Sequence, residues 1–528
     1  MSFMVFTSLV SMTLLSSSEL NGIMMELKIM NMLSSSLSFS VSMDKTSLSF
    51  MMMISMVTCS VLPFSTMYME SYNKKKKFFL IMMMFLSSMM ILITSESLIS
   101  TVTGWDMLGV TSIALIMMYQ NQKTMMNSML TMFFNRIGDF LMFFSIMMFM
   151  NNMEEKFCNI LSMNSKSLTN LSIALMLTSM TKSAQVPLSA WLPAAMSAPT
   201  PISAMVHSST LVTAGIYIIL KMNESMKDSM WMLTSTTSIT LMLASMAANM
   251  ETDLKKIIAF STMSQISIIM MMISMNMKTS GMMHMINHAM FKTLLFMTAG
   301  STFLKKWMEQ DSRKTKSSKT MNKLYKSSLT SSIVSMSGIP FSCSFFSKDK
   351  FLEEMKWENK NSAMSFIMAA SSLATVKKNK KILQSMKNDK MNSASIKKMS
   401  IQPFSIMSMV TITIGSVNTW TNEYLTKPIL YKMEIKMNNL MIFSIMMNEM
   451  KSKMKKTKMW SNNMMFMKWW SSNFLLKVNK KTKHMEMMDF LMTSKIQWNY
   501  SNKMSLSKLS LSLSISTILL ASTLMTPY

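Results

Sequence analysis

The side chains of this sequence that could do chemistry are ionisable groups set within long apolar runs. Lys182 ends one such run, and His207 lies inside the next one. Four prolines separate them: Pro187, Pro193, Pro199 and Pro201. Each proline removes a backbone donor and blocks regular helix, so the chain must break here. Within a bilayer, broken backbone persists only where protein or an aqueous cavity satisfies it, and transporters build ion sites beside such breaks.

A second group of ionisable side chains follows a helical period. His284, His288 and Lys292 are separated by steps of four residues. Because steps of four drift by only about 40° each on an α-helix, the three side chains share one face. Two histidines at this spacing could also bind zinc, but a zinc site needs a third and usually a fourth ligand, and the neighbouring sequence offers no Cys or Glu. The stripe therefore predicts a proton path with one titratable group per turn.

The later half of the chain repeats the combination of a break and a lysine. Pro340, within the run Ser337–Phe341, interrupts a second apolar span and leads into Lys348 and Asp349. A second broken helix with its own lysine matches the first and is typical of inverted repeats. Lys348 and Asp349 are adjacent, so they point about 100° apart and are not an intrahelical pair. A charge cluster at a helix end is the alternative interpretation.

Acidic side chains also occur in apolar surroundings. Asp106 lies within an apolar run, where an acid costs about 2.5–3.5 kcal/mol on insertion scales and needs a partner or a wet cavity. The alternative is a helix end near the membrane interface. Arg136 and Asp139 are three residues apart on one predicted helix face, so they can neutralise each other. They form either a structural ion pair or a pair that tunes the neighbouring site.

Lys182 and His207 each allow a plain structural interpretation beside the functional one. Burial disfavours the ammonium form of a lysine, whereas a nearby carboxylate favours it. A lysine held between these two influences can release a proton when its acidic partner moves away. Lys182 could instead be a lysine that extends to the interface from a helix end. His207 could be an ordinary packed histidine, although its chemistry near neutral pH suits a proton relay.

Composition places the chain in a membrane. Of 528 residues, 49% are hydrophobic and 15% charged, and the mean hydropathy is +0.26. Apolar runs near the spanning length of about 20 residues recur throughout. We predict an all-α, polytopic membrane protein of about fourteen to sixteen transmembrane helices. Two of these would be proline-broken helices in inverted repeats.

The amino-acid usage excludes several function classes. There are 82 methionines and 9 glycines, a skew that an AT-rich mitochondrial genome with extra Met and Ser codons would produce, so methionine is interpreted as packing. The 3 cysteines form no C-x-x-C, which excludes a cysteine-ligated iron–sulfur cluster. The net charge of +28 indicates loops against lipid headgroups rather than nucleic acid. Its lysines are assigned to hydrophilic breaks: Lys74–Lys77, Lys377–Lys381 and Lys451–Lys458.

The amino-acid sequence around the first break contains four blocks that are typical of one protein family. The blocks TKSAQ, WLPAAM, APTPISA and VHSSTLVTAG stand at Thr181–Gln185, Trp191–Met196, Ala198–Ala204 and Val206–Gly215. They closely resemble the subunit 5 family of mitochondrial NADH:ubiquinone oxidoreductase, respiratory complex I. The last block separates this family from related membrane subunits of the complex. The specific match extends over about Gly104–Glu353. The large subunit of multi-subunit Na⁺/H⁺ antiporters carries similar blocks and is the nearest alternative.

The resemblance implies roles for individual side chains. The family has a glutamate where Asp106 stands, and the resemblance implies that Asp106 is the acidic partner of Lys182. It also implies that Lys255 is a buried lysine, whereas Lys256 is solvated. The side chains implied in proton translocation are Asp106, Lys182, His207, Lys255, His284, His288, Lys292, Lys348 and Asp349.

The resemblance also implies the function and surroundings of the chain. It implies a core subunit of complex I, in the mitochondrial inner membrane, that translocates protons while other subunits pass electrons from NADH to ubiquinone. NADH, FMN, iron–sulfur clusters and ubiquinone would belong to partner subunits, with no cofactor or metal on this chain. Partners would be the neighbouring antiporter-like membrane subunits and the bilayer. A structural scaffold is the remaining alternative, but so many intramembrane ionisable groups would be costly for it.

The predicted organisation has five parts. The resemblance implies a long lateral helix near the C-terminus, for which a basic amphipathic helix in the interface is the alternative. The parts are N-terminal transmembrane helices at 1–97, an antiporter-like proton-translocating core at 98–376, a later transmembrane segment at 377–424, the amphipathic lateral helix region at 425–503 and a C-terminal transmembrane helix at 504–528.

Overall fold

The fold is seen in a computed structural model, and it is helical. The structure describes residues 23–31, 36–150, 165–223, 226, 229–305, 309–312, 323–339, 342–357, 362–387 and 402–423. The predicted lateral helix at 425–503, the predicted final span at 504–528 and Pro340 lie outside these ranges. For these parts the sequence predictions stay predictions.

Helices follow the apolar runs of the sequence. They are α1 Lys45–Tyr68, α2 Lys75–Thr94, α3 Leu98–Ile116, α4 Gln122–Met150, α5 Ser165–Lys182, α6 Trp191–Ala195, α7 Thr200–Met205, α8 Leu211–Met222, α9 Met230–Met250, α10 Leu254–Ser274, α11 Lys278–Lys305, α12 Lys323–Ser337, α13 Cys343–Trp357, α14 Ser362–Lys387 and α15 Gln402–Glu423. Within the described residues, 6 helical segments are long and apolar enough to cross a membrane. A multi-pass helical fold is thus confirmed, and the total of about fourteen to sixteen spans stays a prediction.

A β-hairpin precedes the helices. Strand β1 (Ile23–Asn31) pairs antiparallel with strand β2 (Ser36–Met43), and Ile23 lies opposite Met43. In β2 every second residue is serine, in the order SLSFSVSM, and this alternation is the period of a strand. The sequence predicts only transmembrane helices for the N-terminal part, residues 1–97. The hairpin therefore adds a small β element to the predicted all-α fold.

Helices of the centre and of the periphery differ in what surrounds them. The segment Thr200–Met222 is enclosed by protein except at the partly buried Lys221, and α10 is almost completely enclosed. On α4, Phe133, Phe140 and Met147 follow one another at steps of seven residues and are 52%, 70% and 67% exposed. Such a stripe of large apolar side chains is typical of a face that is covered by lipid or by a partner subunit. The enclosed segments are those that carry or adjoin the predicted site residues.

The first break lies where the prolines predict it. Helix α5 ends at Lys182, and helical turns resume only with α6 and α7. Trp191 donates its indole N–H to the carbonyl oxygen of Thr181 at 2.8 Å, which satisfies one of the free carbonyls at the end of α5. Gln185, inside the break, accepts a hydrogen bond from the Thr240 hydroxyl at 2.6 Å. Protein groups therefore satisfy part of the broken backbone and anchor it.

The second break separates α12 from α13. Helix α12 ends at Ser337, and Gly338 follows with a φ of +76°, a backbone conformation that glycine adopts without strain. Both breaks share a neighbour, because α7 from the first break and α13 from the second each pack against α11. Helix α11, which carries the histidine and lysine stripe, is thus in contact with both interrupted regions.

Helix α14 corrects one feature of the sequence analysis. The lysine run Lys377–Lys381 was assigned to a hydrophilic break, with a boundary between residues 376 and 377. The structure has continuous helix there, from Ser362 to Lys387. One face of this helix is buried, so lysines in the same run have different surroundings.

The close approach of α5 and α8 generates a prediction about stability. A Cβ atom on Gly215 would lie 2.5 Å from the carbonyl oxygen of Ser179. We expect Gly215→Ala to destabilise the chain by about 1–3 kcal/mol, although alanine favours helix by about 1 kcal/mol. The measurement is the thermal unfolding midpoint in detergent. Gly109→Ala is the control, because its Cβ would meet its nearest neighbours at 3.7 Å. An unchanged or higher midpoint for Gly215→Ala would contradict the packing described here.

Candidate functional site

Lys182 reaches from the end of α5 across to α3. Its side chain is fully buried, and Nζ lies 3.4 Å from the carbonyl oxygen of Trp105. The same ammonium nitrogen lies 4.8 Å from the centroid of the Trp105 ring, a distance at which a cation is attracted to the aromatic face. Gly109, one turn further along α3, leaves the space, since a Cβ there would be 3.7 Å from Nζ. The amine is therefore held by a carbonyl and an aromatic ring.

Two carboxyl groups lie beside this lysine. Those of Asp106 and Asp139 interact electrostatically with each other and with Lys182. Arg136 donates to Asp139 at 3.3 Å, so the predicted Arg136–Asp139 ion pair is confirmed. In the described part of the chain, one oxygen of each carboxyl group, Oδ1, has no hydrogen-bond partner. We call the four residues Asp106 (α3), Arg136 and Asp139 (α4) and Lys182 (α5) the acidic cluster.

The predicted partners Asp106 and Lys182 interact electrostatically but are not in direct contact. Among the described residues, no ion pair within 4.0 Å joins Lys182 to Asp106. The carboxyl of Asp106 lies instead beside that of Asp139, on the neighbouring helix α4. The aspartate is one methylene shorter than the glutamate of the resembled family, which limits how far its carboxylate extends. The two groups lie in one cluster and interact through space rather than by direct contact.

His207 lies in a π-helical turn, Val206–Thr210, between α7 and α8. Such turns occur frequently at functional sites. The side chain is fully buried, and neither ring nitrogen has a hydrogen-bond partner among the residues that the structure describes. Its ring centroid lies 6.4 Å from that of Trp191, whose indole N–H binds the carbonyl oxygen of Thr181. Trp191 thus connects His207 with the end of the helix that carries Lys182.

Lys255 and Lys256 separate as the resemblance implies. Lys255 is 5% exposed and donates from Nζ to the carbonyl oxygen of Ala198 at 3.1 Å, inside the first break. The side chain of Lys256 is 37% exposed and pairs with Asp253 at 3.2 Å. The adjacent lysines therefore have opposite environments, one against the broken backbone and one at the surface.

The stripe on α11 is entirely buried, and its ends have polar partners. Nδ1 of His284 lies 2.8 Å from the hydroxyl oxygen of Ser347, and Nε2 lies 3.1 Å from the amide oxygen of Gln265. Lys292 donates from Nζ to the hydroxyl oxygen of Ser261 at 2.5 Å. The spacing therefore predicted an internal face correctly, and hydroxyl and amide groups rather than carboxylates contact its ends.

His288 and Lys348 complete this internal face. The His288 ring packs edge-on against Phe291, and its nitrogens have no hydrogen-bond partner within the described ranges. Lys348 is half-buried on α13 and donates to the carbonyl oxygen of Met336 at 2.8 Å, in the last turn of α12. A helix C-terminus favours a positive charge. Lys348 also interacts electrostatically with the stripe, and Asp349 beside it is half-buried.

Sequence reasoning missed Lys378, which is fully buried on α14. Its Nζ donates to the hydroxyl oxygen of Ser264 at 3.2 Å. A helical period was the available signal, because buried residues recur along this face at Ser371, Thr375, Lys378 and Ile382. This period is hard to recognise in the sequence because the run Lys377–Lys381 is rich in lysine. We call His284, His288, Lys292, Lys348 and Lys378 the lysine–histidine cluster.

The sequence also failed to single out the neutral partners of these groups. They are Ser261, Ser264, Gln265 and Ser347. In a chain this rich in serine, a hydroxyl that contacts a buried amine has the same sequence surroundings as one that only bonds its own helix.

Comparison with known proteins identifies the family. Residues 95–375 match the model of the NADH:quinone oxidoreductase/Mrp antiporter transmembrane family, and residues 30–79 match that of the complex I chain 5 N-terminus. NADH-ubiquinone oxidoreductase chain 5 of Anopheles arabiensis is 38% identical over 333 residues, which cover 62% of this chain and 86% of the relative. The chain belongs to the NADH-ubiquinone oxidoreductase chain 5 family. The chain 5 protein of Anopheles gambiae is 34% identical over 406 residues, 75% of this chain and 70% of that one.

Solved structures agree with the fold of this chain 5 family member. A chain of the Mrp complex from Dietzia sp. aligns with a TM-score of 0.70 at 16% identity, covering 98% of this chain and 59% of that one. A chain of the membrane-bound sulfane sulfur reductase, an archaeal respiratory membrane complex, aligns with a TM-score of 0.70 at 18% identity, covering 79% and 88%. At these identities the likeness concerns the fold alone.

The contrast between Lys255 and Lys256 can be tested by labelling. In a chain whose 3 cysteines are replaced by serine, we expect Lys256→Cys to react with a membrane-impermeant maleimide about tenfold faster than Lys255→Cys, because only an accessible thiolate is attacked. The labelled fraction is followed over time in native membranes. Denatured samples, in which both positions should react alike, serve as the control. Equal native rates would contradict the burial of Lys255.

Proposed function

We propose that this chain is a core membrane subunit of mitochondrial complex I. In this function it translocates protons across the inner membrane, coupled to electron transfer from NADH to ubiquinone in other subunits. One observation carries the proposal: membrane helices of a chain 5 family member enclose ionisable side chains whose hydrogen-bond partners are mostly hydroxyl, amide and carbonyl groups. The redox groups, NADH, FMN, iron–sulfur clusters and ubiquinone, belong to partner subunits in this proposal.

Neutral partners favour proton exchange over permanent charge. A buried ammonium without a carboxylate in contact is costly, because the interior does not replace its hydration. A serine hydroxyl can either accept a hydrogen bond from an ammonium or donate one to a neutral amine. Lys292 against Ser261 can therefore keep its contact in both protonation states. The same property suits a group that takes up and releases protons in each cycle.

The acidic cluster supplies the control of Lys182. When the carboxylate of Asp106 approaches Lys182, it stabilises the ammonium; when it turns to Asp139, desolvation favours the neutral amine. Arg136, paired with Asp139, biases this exchange. The proton released from Lys182 moves in this mechanism toward His207 and the region of Lys255.

The lysine–histidine cluster continues the path. His284, His288 and Lys292 lie one turn apart on α11, and Lys348 lies against the same face from α13. Lys348 lies against the C-terminal end of α12 much as Lys255 lies against the first break. Each amine donates to a backbone carbonyl of an interrupted region. In our proposal both lysines exchange protons beside such carbonyls, with Asp349 adjoining the second.

A Na⁺/H⁺ antiporter subunit is the second candidate. The matching family model includes Mrp antiporters, and the fold of an Mrp complex chain is similar. The identity to chain 5 proteins favours complex I. The two functions separate in a native gel of mitochondrial membranes. Co-migration of the chain with NADH dehydrogenase activity supports the proposal, and migration apart from it would refute it.

Removing the charge of Lys182 gives a direct test. We expect Lys182→Ala to lower proton translocation by about tenfold or more while the complex assembles, because a relay group contributes at least that much. Lys182→Arg should also fail, since guanidinium keeps its proton. The measurement is protons translocated per NADH oxidised, together with the NADH oxidation rate, in membranes that carry each variant. Translocation by Lys182→Ala at the wild-type rate and ratio would show that this lysine is structural.

Asp106 allows a conservative and a disruptive substitution. We expect Asp106→Glu to keep proton translocation, because the carboxylate remains and its longer side chain extends further toward Lys182. Asp106→Ala should lose it, since Lys182 then lacks its mobile acid. The same assay compares both variants, with native gels to check assembly. If Asp106→Ala translocates protons like the wild type, Asp106 does not control the protonation of Lys182 and our mechanism is wrong.

A further inference from the structure

The lysine–histidine cluster contains one member that no sequence motif predicted, Lys378. We infer that Lys378 is a further proton-carrying residue, which together with Lys381 connects Lys292 with the surface end of helices α9 and α10. The inference rests on the proposed function and specifies one route by which protons enter or leave the cluster.

The burial of Lys378 is difficult to explain by structure alone. The residue is fully enclosed, and its hydrogen bond goes to the neutral hydroxyl of Ser264 at 3.2 Å. Within the described ranges, no carboxylate lies within ion-pair distance of it. Lys292 and Lys348, the charged groups that face it, carry the same sign. A permanent cation here would be both desolvated and repelled, so an apolar residue would pack at lower cost.

Helix α10 brings Lys378 and Lys292 together. Lys292 contacts Ser261 at 2.5 Å, and Lys378 contacts Ser264 at 3.2 Å. Ser261 and Ser264 are three residues apart, which corresponds to about 4.5 Å along the helix axis. The two lysines also interact electrostatically. Because like charges in a low-dielectric interior repel strongly, a proton that arrives on one amine favours release from the other.

One turn further along α14, Lys381 leads to the surface. It donates from Nζ to the carbonyl oxygen of Asn249 at 3.2 Å and also to that of Glu251. These carbonyls end helix α9, where the helix dipole favours a cation. Nearby Asp253 and Lys256 have side chains that are 33% and 37% exposed, so solvent reaches this end. Along α14, Lys378 is therefore one turn from Lys381 and this partly exposed end. On α10 its partner Ser264 lies three residues further from Asp253 than Ser261, the partner of Lys292, so the route to the exposed end follows α14 rather than α10.

The transfer conserves atoms and charge. An N–H bond of the Lys292 ammonium breaks, and its proton passes to the hydroxyl side of α10. The Ser261 hydroxyl accepts that proton and releases its own to the Ser264 hydroxyl, which in turn releases its proton to the neutral amine of Lys378, where a new N–H bond forms. Lys381 gives a proton to solvent at the exposed end near Asp253, and its neutral amine then accepts the proton of Lys378, so that one N–H bond breaks and one forms in that transfer. No oxidant or reductant is required, and reprotonation of Lys292 from within the lysine–histidine cluster returns the groups to their first state.

The test compares Lys378→Met with Lys377→Met in membranes that carry the assembled complex. Lys377 is the adjacent, exposed lysine of the same helix and is therefore a matched control. We expect Lys378→Met to lower proton translocation by about tenfold or more, with the NADH oxidation rate falling along with it, and Lys377→Met to remain like the wild type. Translocation by Lys378→Met at the wild-type rate would overturn the inference.

Two replacements separate proton transfer from a structural charge. Lys378→His keeps a group that can titrate, and we expect partial recovery relative to Lys378→Met. Lys378→Arg keeps the charge but not the ability to release it, so we expect no recovery. Recovery by arginine, with none by histidine, would show that only a fixed charge matters and would overturn the inference.

Two serine variants that leave Lys378 in place test the inference if the complex with Lys378→Met does not assemble. Ser264→Ala removes the hydroxyl that holds Lys378, whereas Ser267→Ala removes a buried hydroxyl one turn further on the same helix. We expect a loss of translocation for Ser264→Ala alone, and equal rates for the two would overturn the inference. Lys182→Ala, measured in parallel, separates the two proposals. Normal translocation by that variant refutes the role proposed for Lys182, whereas its loss with a normal Lys378→Met refutes the route through Lys378 only.

Discussion

The cost of enclosing an ionisable group in a low-dielectric interior governs this structure. An amine that leaves water loses its hydration, and the protein has to supply oxygen or aromatic partners in place of water. Here Lys182 has a backbone carbonyl and an indole ring, Lys255 and Lys348 have backbone carbonyls, and Lys292 and Lys378 have serine hydroxyls. These contacts lower the cost of burial without forcing a permanent charge, which is the condition for reversible protonation.

The interrupted helices follow from the same constraint. A continuous helix uses its carbonyls internally and has few to offer, whereas a break leaves carbonyls free. Ala198, in the first break, and Met336, at the second, supply such oxygens to Lys255 and Lys348. In the π-helical turn at His207, the hydroxyl of Ser208 donates to the carbonyl oxygen of Ala204 at 2.5 Å. Backbone irregularity and buried amines thus depend on each other.

The sequence predicted features that follow from local periodicity and missed those that depend on packing. The step of four residues placed His284, His288 and Lys292 on one buried face. The spacing of three residues between Arg136 and Asp139 likewise predicted their ion pair. Pairing between distant segments was less predictable: the carboxyl of Asp106 lies beside Asp139 rather than in contact with Lys182, because the packing of α3 on α4 decides its direction. Lys378 was missed since its three neighbouring lysines, Lys377, Lys380 and Lys381, suggested a solvated break.

Helix α11 has a mechanical consequence beyond the side chains it carries. It packs against α7 on one side of the first break and against α13 after the second. Close-packed interiors transmit displacement rather than absorb it. A rotation or axial shift of α11 therefore changes two distances together, from His284 to Ser347 and from the π-helical turn to α11. Because α11 contacts both interrupted regions, a displacement at one break would be transmitted through this helix to the other. Such mechanical coupling would not require a proton to move between the two breaks.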